Sequence, residues 1–191
     1  IHLDASILKK IESVCKQNNI CFIVDEIQTG FGTTGHMWYS KKIGLEPDII
    51  VFGKKAQICG VMVNDKYSEA IHSQYRKLEV TFDGDLIDAV RAEYVLNAIE
   101  KYSLLERVNK NSIILHNELS ETYDNYRSVG HLIAFDCKNK NERDEFVSKA
   151  YLNHLLLNPT GEKSIRIRPN LAFSDNELDE FLVRLKGSST V

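Results

Sequence analysis

Hydrophobic positions change period several times along this chain, and each change predicts an element. Behind Asp4, a residue suited to capping a first turn, Ile7, Ile11 and Val14 recur at helical spacing, and Asn18-Asn19 closes that helix. Ile20 to Val24 is a continuous apolar run, the pattern of a strand buried on both faces. Gln28 to Gly35 holds three glycines and three threonines and predicts a loop. Asp48 to Phe52 and Ile58 to Val63 read as two more strands. Helix, strand, loop, strand is the order of an α/β domain with a mostly parallel sheet.

From Gly84 to Tyr102 the pattern turns helical, and Leu86, Ile87, Val90, Val95, Leu96 and Ile99 cover more than one face, which predicts a sandwiched helix. Leu104 to Tyr126 reads as a second, more polar helix. Val129 to Cys137 alternates as a strand, with Ile133 and Phe135 on one face and Leu132, Ala134 and Asp136 on the other. A helix over Asn141 to His154 follows, then short strands at Leu155 to Leu157 and Ser164 to Arg168. Ser174-Asp175-Asn176-Glu177 has the spacing of a capping box, with Phe173 and Leu178 as its staple, and predicts a last helix to about Lys186. The shift in pattern near residue 103 divides the chain. Residues 1–103 read as part of a larger α/β domain, and residues 104–191 as a smaller α+β domain.

Composition narrows the class. With 191 residues, 43% of them hydrophobic, and a net charge of −3, the chain suits a soluble globular protein and offers nucleic acid no basic surface. The apolar run Cys21 to Val24 is too short to span a bilayer, so no membrane partner is expected. Cys15, Cys21, Cys59 and Cys137 form no C-x-x-C pair and no zinc spacing, which points to reduced thiols, no metal site and a cytoplasmic setting. The chain starts at Ile1 without a signal-peptide pattern, which reads as a cut N-terminus.

Two strand ends carry the candidate chemistry. Ile23-Val24 runs into Asp25-Glu26, and Asp48 to Phe52 runs through Gly53 into Lys54-Lys55, with Lys54 standing 29 residues after Asp25. Ligands in α/β sheets sit at the carboxyl ends of strands. An acid and an amine there suit a pyridine aldehyde: the acid keeps the ring nitrogen protonated and the lysine forms the imine. An apolar strand ending in Asp-Glu also occurs in P-loop ATPases, but this chain has no G-x-x-x-x-G-K-[ST] loop. Gln28, in the turn after Asp25, is placed to hydrogen-bond a ring hydroxyl. A lysine at a buried strand end loses its charge readily by desolvation, and chemistry alone leaves Lys54 and Lys55 as alternatives. Thr81 precedes Phe82-Asp83-Gly84-Asp85 and reads either as part of a capped helix entry or as a phosphate contact. Arg166 and Arg168 share one face of their strand, either as a surface pair or with Arg166 as a bidentate receptor for a substrate carboxylate.

Together these residues resemble the class III pyridoxal-phosphate aminotransferases of fold type I. Asp25-Glu26-Ile27-Gln28-Thr29-Gly30-Phe31-Gly32-Thr33-Thr34-Gly35 looks like the family's ring-nitrogen motif, and Pro47-Asp48-Ile49 through Lys54 like its Schiff-base motif. The resemblance selects Lys54 over Lys55. It assigns Thr81 to the phosphate of the neighbouring subunit's cofactor, which implies a homodimer, and Arg166 to the carboxylate of glutamate or 2-oxoglutarate. Phe52-Gly53-Lys54-Lys55-Ala56-Gln57-Ile58-Cys59-Gly60-Val61-Met62, with Arg166-Ile167-Arg168-Pro169, is similar to the L-lysine 6-aminotransferase subgroup, with ornithine or 4-aminobutyrate transamination and a mutase as alternatives. Where the family usually has Gly-Gly-Asn after the aromatic that follows its threonine, this chain has Asp83-Gly84-Asp85, negative charge beside an expected phosphate. The family's N-terminal half has no counterpart here, so the chain resembles the C-terminal portion of a longer enzyme. A non-catalytic remnant is the remaining expectation.

Overall fold

The computed structural model describes residues 3–73 and 81–189, which fall into two compact units. One comprises Ile1–Gly32 and His36–Tyr102, the other Thr33–Gly35 and Ser103–Val191.

In the first unit, Asp4 caps helix α1 (Ala5–Gln17) by accepting from Ser6 N at 2.7 Å. The buried contact of α1 is a carboxylate, because Glu12 Oε1 accepts from Glu46 N at 2.8 Å while Ile7, Ile11 and Val14 are exposed. Strand β1 (Ile23–Asp25) pairs in parallel with β2 (Ile49–Phe52), and β2 pairs antiparallel with β3 (Gly60–Val63). Between β1 and β2 comes a short helix, α2 (Tyr39–Lys42). Asp48 ties the start of β2 to its neighbours, accepting from Phe22 N at 2.9 Å and from the Asn64 side chain at 2.8 Å. The expected mostly parallel sheet is therefore mixed among the described residues. The link from β2 to β3 is too short for a crossover, and a short link between paired strands makes them antiparallel. Nor, among the described residues, is β1 buried on both faces: Ile23 is 55% exposed, and β1 is an outer strand of the three-stranded sheet they form. Helix α3 (Asp65–His72) follows β3. Helix α4 (Leu86–Lys101) starts at Asp85, whose Oδ1 accepts from Ile87 N and Asp88 N at 2.7 and 3.2 Å. Among the described residues it is not sandwiched: Leu86 is 79% exposed, Ile87, Val90, Tyr94 and Leu96 are exposed as well, and only Ile99 is buried.

The second unit is built on a four-stranded antiparallel sheet. Helix α5 (Leu104–Leu119) stops short of the expected Tyr126, and residues beyond it form strand β4 (Asp124–Val129) in a hairpin with β5 (Leu132–Asp136). Gly130 makes the turn at φ 59°, where an added Cβ would come within 2.4 Å of Thr33 O. The same three-residue insert is held by His131 N donating to Thr33 O at 2.8 Å and by Asn109 Nδ2 donating to Gly35 O at 2.9 Å. After α6 (Lys140–Leu152) come β6 (Asn158–Thr160) and β7 (Ser164–Ile167), in the order β4-β5-β7-β6. The strand expected at Leu155 to Leu157 thus lies a few residues later, because Leu157 enters the core while Asn158–Thr160 pair with β7. The predicted capping box opens α7 (Asp175–Ser188), with Ser174 N donating to Glu177 Oε2 at 2.7 Å and Glu177 N to Ser174 Oγ at 3.3 Å. Phe135, Ile165, Leu115, Leu119, Leu178 and Leu185 form the centre of one continuous core. As the alternation predicts, Ile133 and Phe135 face inward. No helix among the described residues is long and apolar enough to cross a membrane.

Candidate functional site

Asp25 ends β1 and stands exposed, with its Oδ1 accepting from Ile27 N at 2.8 Å. The next residue points the other way. Glu26 is 1% exposed, and its carboxylate accepts from Thr29 Oγ1 at 2.5 Å, Tyr39 N at 3.0 Å and Ser40 N at 2.6 Å. A buried carboxylate is tolerated when donors converge on it, and here they fold the chain after Asp25 around a single side chain. Phe31, Trp38 and Phe52 pack beside it, with ring centroids 5.2 to 6.2 Å apart. Gly30 is required by close approach, since a Cβ there would meet the Trp38 ring and Glu26 O at 2.8 Å. Gln28 lies on the exposed side of this loop.

Lys54 opens a single 3-10 turn, Lys54–Ala56, just past β2. Gly53 beneath it is buried, and a Cβ at that position would lie 3.0 Å from Cys59 Sγ. Lys54 itself is exposed and Lys55 half-buried, so the desolvated strand-end lysine expected from the apolar run is not what this structure holds. The turn lifts residue 54 off the strand into the left-handed region, at φ 52°. Register places the two strand ends together: β1 and β2 are parallel with Asp25 opposite Val51, so Asp25 and Lys54 leave the same carboxyl edge of the sheet. Helix α4 packs against the Lys54 turn. Thr81 stands exposed in the turn before α4, and Asp85 there is committed to the helix cap.

Arg166 belongs to the second unit, at an inner position of the sheet between Ala134 and Asn158. It lies on the face opposite the buried Ile165 and Ile167, and its Nε is buried with no hydrogen-bond partner among the described residues. Partial burial and then repulsion from Arg166 push the Arg168 guanidinium below its ordinary value. One row away, Asp136 is held by Arg127 at 3.0 Å, Ser164 Oγ at 2.6 Å and Asn125 Nδ2 at 2.9 Å. Burial alone would raise this carboxyl, but the three donors hold it at about 2. Sequence reasoning missed Glu26 and the Arg127–Asp136 pair. The Asp-Glu doublet at a strand end was a signal for the first; nothing local marked the second.

The family model for Aminotransferase class-III matches residues 1–188. The L-lysine-epsilon aminotransferase of Streptomyces clavuligerus is 32% identical over 99% of this chain and 44% of its own length. The 4-aminobutyrate aminotransferase of Schizosaccharomyces pombe is 30% identical over 96% of this chain and 40% of its own length. Among solved structures, lysine aminotransferase from M. tuberculosis superposes with a TM-score of 0.92 at 29% identity, covering 98% of this chain and 45% of that one. Ornithine delta-aminotransferase of Plasmodium falciparum superposes with a TM-score of 0.86 at 25% identity, covering 98% of this chain and 51% of that one. The chain spans less than half the length of the curated relatives named here. A family match over nearly all its residues, on the fold of solved relatives, means that the chain belongs to the class III aminotransferases, a family of pyridoxal-phosphate-dependent enzymes.

Proposed function

We propose that this protein transfers amino groups with pyridoxal phosphate, taking the terminal amine of L-lysine as donor and 2-oxoglutarate as acceptor, as a homodimer in the cytoplasm. One observation carries the reading: the parallel pairing of β1 and β2 sends Asp25 and Lys54 out of the same edge of the sheet. An exposed carboxylate with Oδ1 engaged by Ile27 N and an exposed amine on the adjoining strand end suit a protonated ring nitrogen and an aldehyde. Bound there, pyridoxal phosphate supplies a sink for the electrons of a broken carbon–hydrogen bond. Asp25 would hold the proton on the ring nitrogen, and Gln28 would orient the ring oxygen. Lys54 Nζ would bind the aldehyde carbon and move the proton that substrate loses. Thr81 would hydrogen-bond the phosphate of the cofactor in the neighbouring subunit, and Arg166 would grip the substrate carboxylate through its fork. In this reading residues 1–103 are the later part of a large cofactor-binding domain and residues 104–191 a small α+β domain.

Two observations favour neighbouring readings. Relatives that act as 4-aminobutyrate and acetylornithine aminotransferases are 30% and 32% identical, much like the lysine enzymes, which keeps those donors in play. The negative charge of Asp83 and Asp85 beside Thr81 favours a non-catalytic remnant. Reduction of the protein with borohydride in the presence of pyridoxal phosphate, followed by peptide mapping, tests the core reading. Label at Lys54 is expected, lost in Lys54→Ala; label confined to other lysines sinks it. A panel of lysine, ornithine and 4-aminobutyrate with 2-oxoglutarate then decides the donor.

A further inference from the structure

The turn that carries Lys54 contains two residues in the left-handed region, Lys54 at φ 52° and Gln57 at φ 61°. That region is disfavoured for side chains with a Cβ, and neither lysine nor glutamine has the short polar group that lets Asn or Asp adopt it at low cost. Something must hold the turn. Its inner side is fixed by burial: Ala56 is fully buried, and Gly53 is packed under Cys59 Sγ. Beside the packing of α4 against the turn, one residue supplies hydrogen bonds within it. Gln57 donates twice to the carbonyl oxygen of Lys54, from its backbone N at 2.9 Å and from its side-chain Nε2 at 3.1 Å. Two donors from one residue thus converge on that carbonyl and restrain the peptide that follows Lys54. The orientation of this peptide is bound to ψ of residue 54, and so to the direction in which the Lys54 amine leaves the backbone.

We propose that Gln57 is a positioning residue for Lys54: its side-chain amide fixes the left-handed turn and presents the Lys54 amine in preference to that of Lys55. The proposal rests on the reading of Lys54 as the cofactor lysine. Gln57 touches no reacting atom and acts only through the backbone of residue 54. The donor function is separable from size. Gln57→Glu keeps the length and shape but replaces the N–H donor with an oxygen that the Lys54 carbonyl repels. Gln57→Gly removes the amide while leaving the backbone free to adopt its positive φ.

The test uses the chain as it stands. Pyridoxal phosphate is trapped with borohydride and the ratio of label at Lys54 to label at Lys55 is read by peptide mapping. Amide NMR shifts of residues 53–57 and the thermal midpoint are measured alongside. Loss of one hydrogen bond predicts that Gln57→Glu lowers the Lys54:Lys55 ratio about threefold to tenfold. The shifts of residues 53–57 should move with it, and the thermal midpoint should not. Gln57→Gly should lower the ratio as well, because the amide and not the backbone preference is at issue. An unchanged ratio in Gln57→Glu overturns the proposal, whether or not the shifts move. A fall in thermal midpoint with shift changes across the first unit overturns it too, making Gln57 a residue of the fold alone. A wild-type label at Lys55 overturns both this proposal and the reading of Lys54. A wild-type label at Lys54 whose ratio survives Gln57→Glu overturns this one only.

Discussion

The two units of this chain are held together by different physics. The second has one continuous hydrophobic core, from Leu115 and Leu119 through Phe135 and Ile165 to Leu185, with helices laid over one face of its sheet. Among its described residues the first buries few apolar side chains, among them Phe22, Phe31, Leu45 and Ile99. Much of its order comes from carboxylates that collect backbone donors: Glu12 on Glu46 N, Glu26 on Tyr39 N and Ser40 N, Asp48 on Phe22 N. Ile7, Ile11, Val14, Ile23, Leu86 and Ile87, the residues whose periodicity predicts its elements, stand exposed. Apolar burial is non-directional and scales with area, whereas a carboxylate with converging donors fixes particular atoms in particular places. The unit that holds Asp25, Gln28, Lys54 and Thr81 is thus ordered largely by directional contacts, and the unit that holds Arg166 largely by apolar burial.

This contrast breaks first at Phe135. It is fully buried, stacked on Tyr123 with ring centroids 4.2 Å apart and edge-on to Phe146 at 5.7 Å. Phe135→Ala should cost the second unit about 3–5 kcal/mol. Urea unfolding followed by far-UV circular dichroism should show that loss. Fluorescence of Trp38, the single tryptophan and a residue of the first unit, should move less. If the Trp38 transition shifts by the same amount, the two units melt as one and the contrast is structural only.

The converse substitution is Glu26→Ala, which strands three donors. It should cost about 3 kcal/mol, read as an early change in Trp38 fluorescence while the far-UV transition of the second unit stays in place. Glu26→Gln, which keeps acceptor capacity on one oxygen, should fall between. An undisturbed Trp38 signal in Glu26→Ala would mean that the aromatic cluster, not the carboxylate, orders the loop after Asp25.

The smallest effect sharpens the comparison from within the second unit. Asp136 titrates at about 2 in place of its ordinary 3.8, because Asn125, Ser164 and Arg127 outweigh the opposing cost of burial. A depressed folded-state value stabilises above the unfolded value and is lost as pH falls through the folded one. The contribution, about 2 kcal/mol, is therefore complete above pH 4 and disappears between about pH 4 and 2. Asp136→Asn should flatten that part of the pH profile of the second unit's stability. A profile unchanged by the substitution would remove Asp136 from the account of acid unfolding.

Much of the local structure was legible because its causes lie within a few residues. Asp4, Asp85 and Ser174 cap helices through hydrogen bonds spanning two or three positions, and strict alternation places Ile133 and Phe135 on one face. The run of apolar residues into Asp25 and the apolar run before Lys54 likewise put both residues just at strand ends without any knowledge of partners. What only the tertiary structure decided depends on pairing and cover. Helix α5 ends at Leu119 because Asp124–Val129 pair with β5, a gain that local helical pattern does not contain. Whether Ile23 or Leu86 is buried depends on what lies against it, so apolar periodicity predicted cover that the described residues do not supply. The same holds at the site. Sequence named Asp25 and Lys54 one by one, but the parallel register that sends them from one sheet edge forms only when the strands meet, and Glu26 is buried beside an exposed Asp25 only when Tyr39 and Ser40 fold back onto it, whereas the turn that Gln57 closes on Lys54 is local.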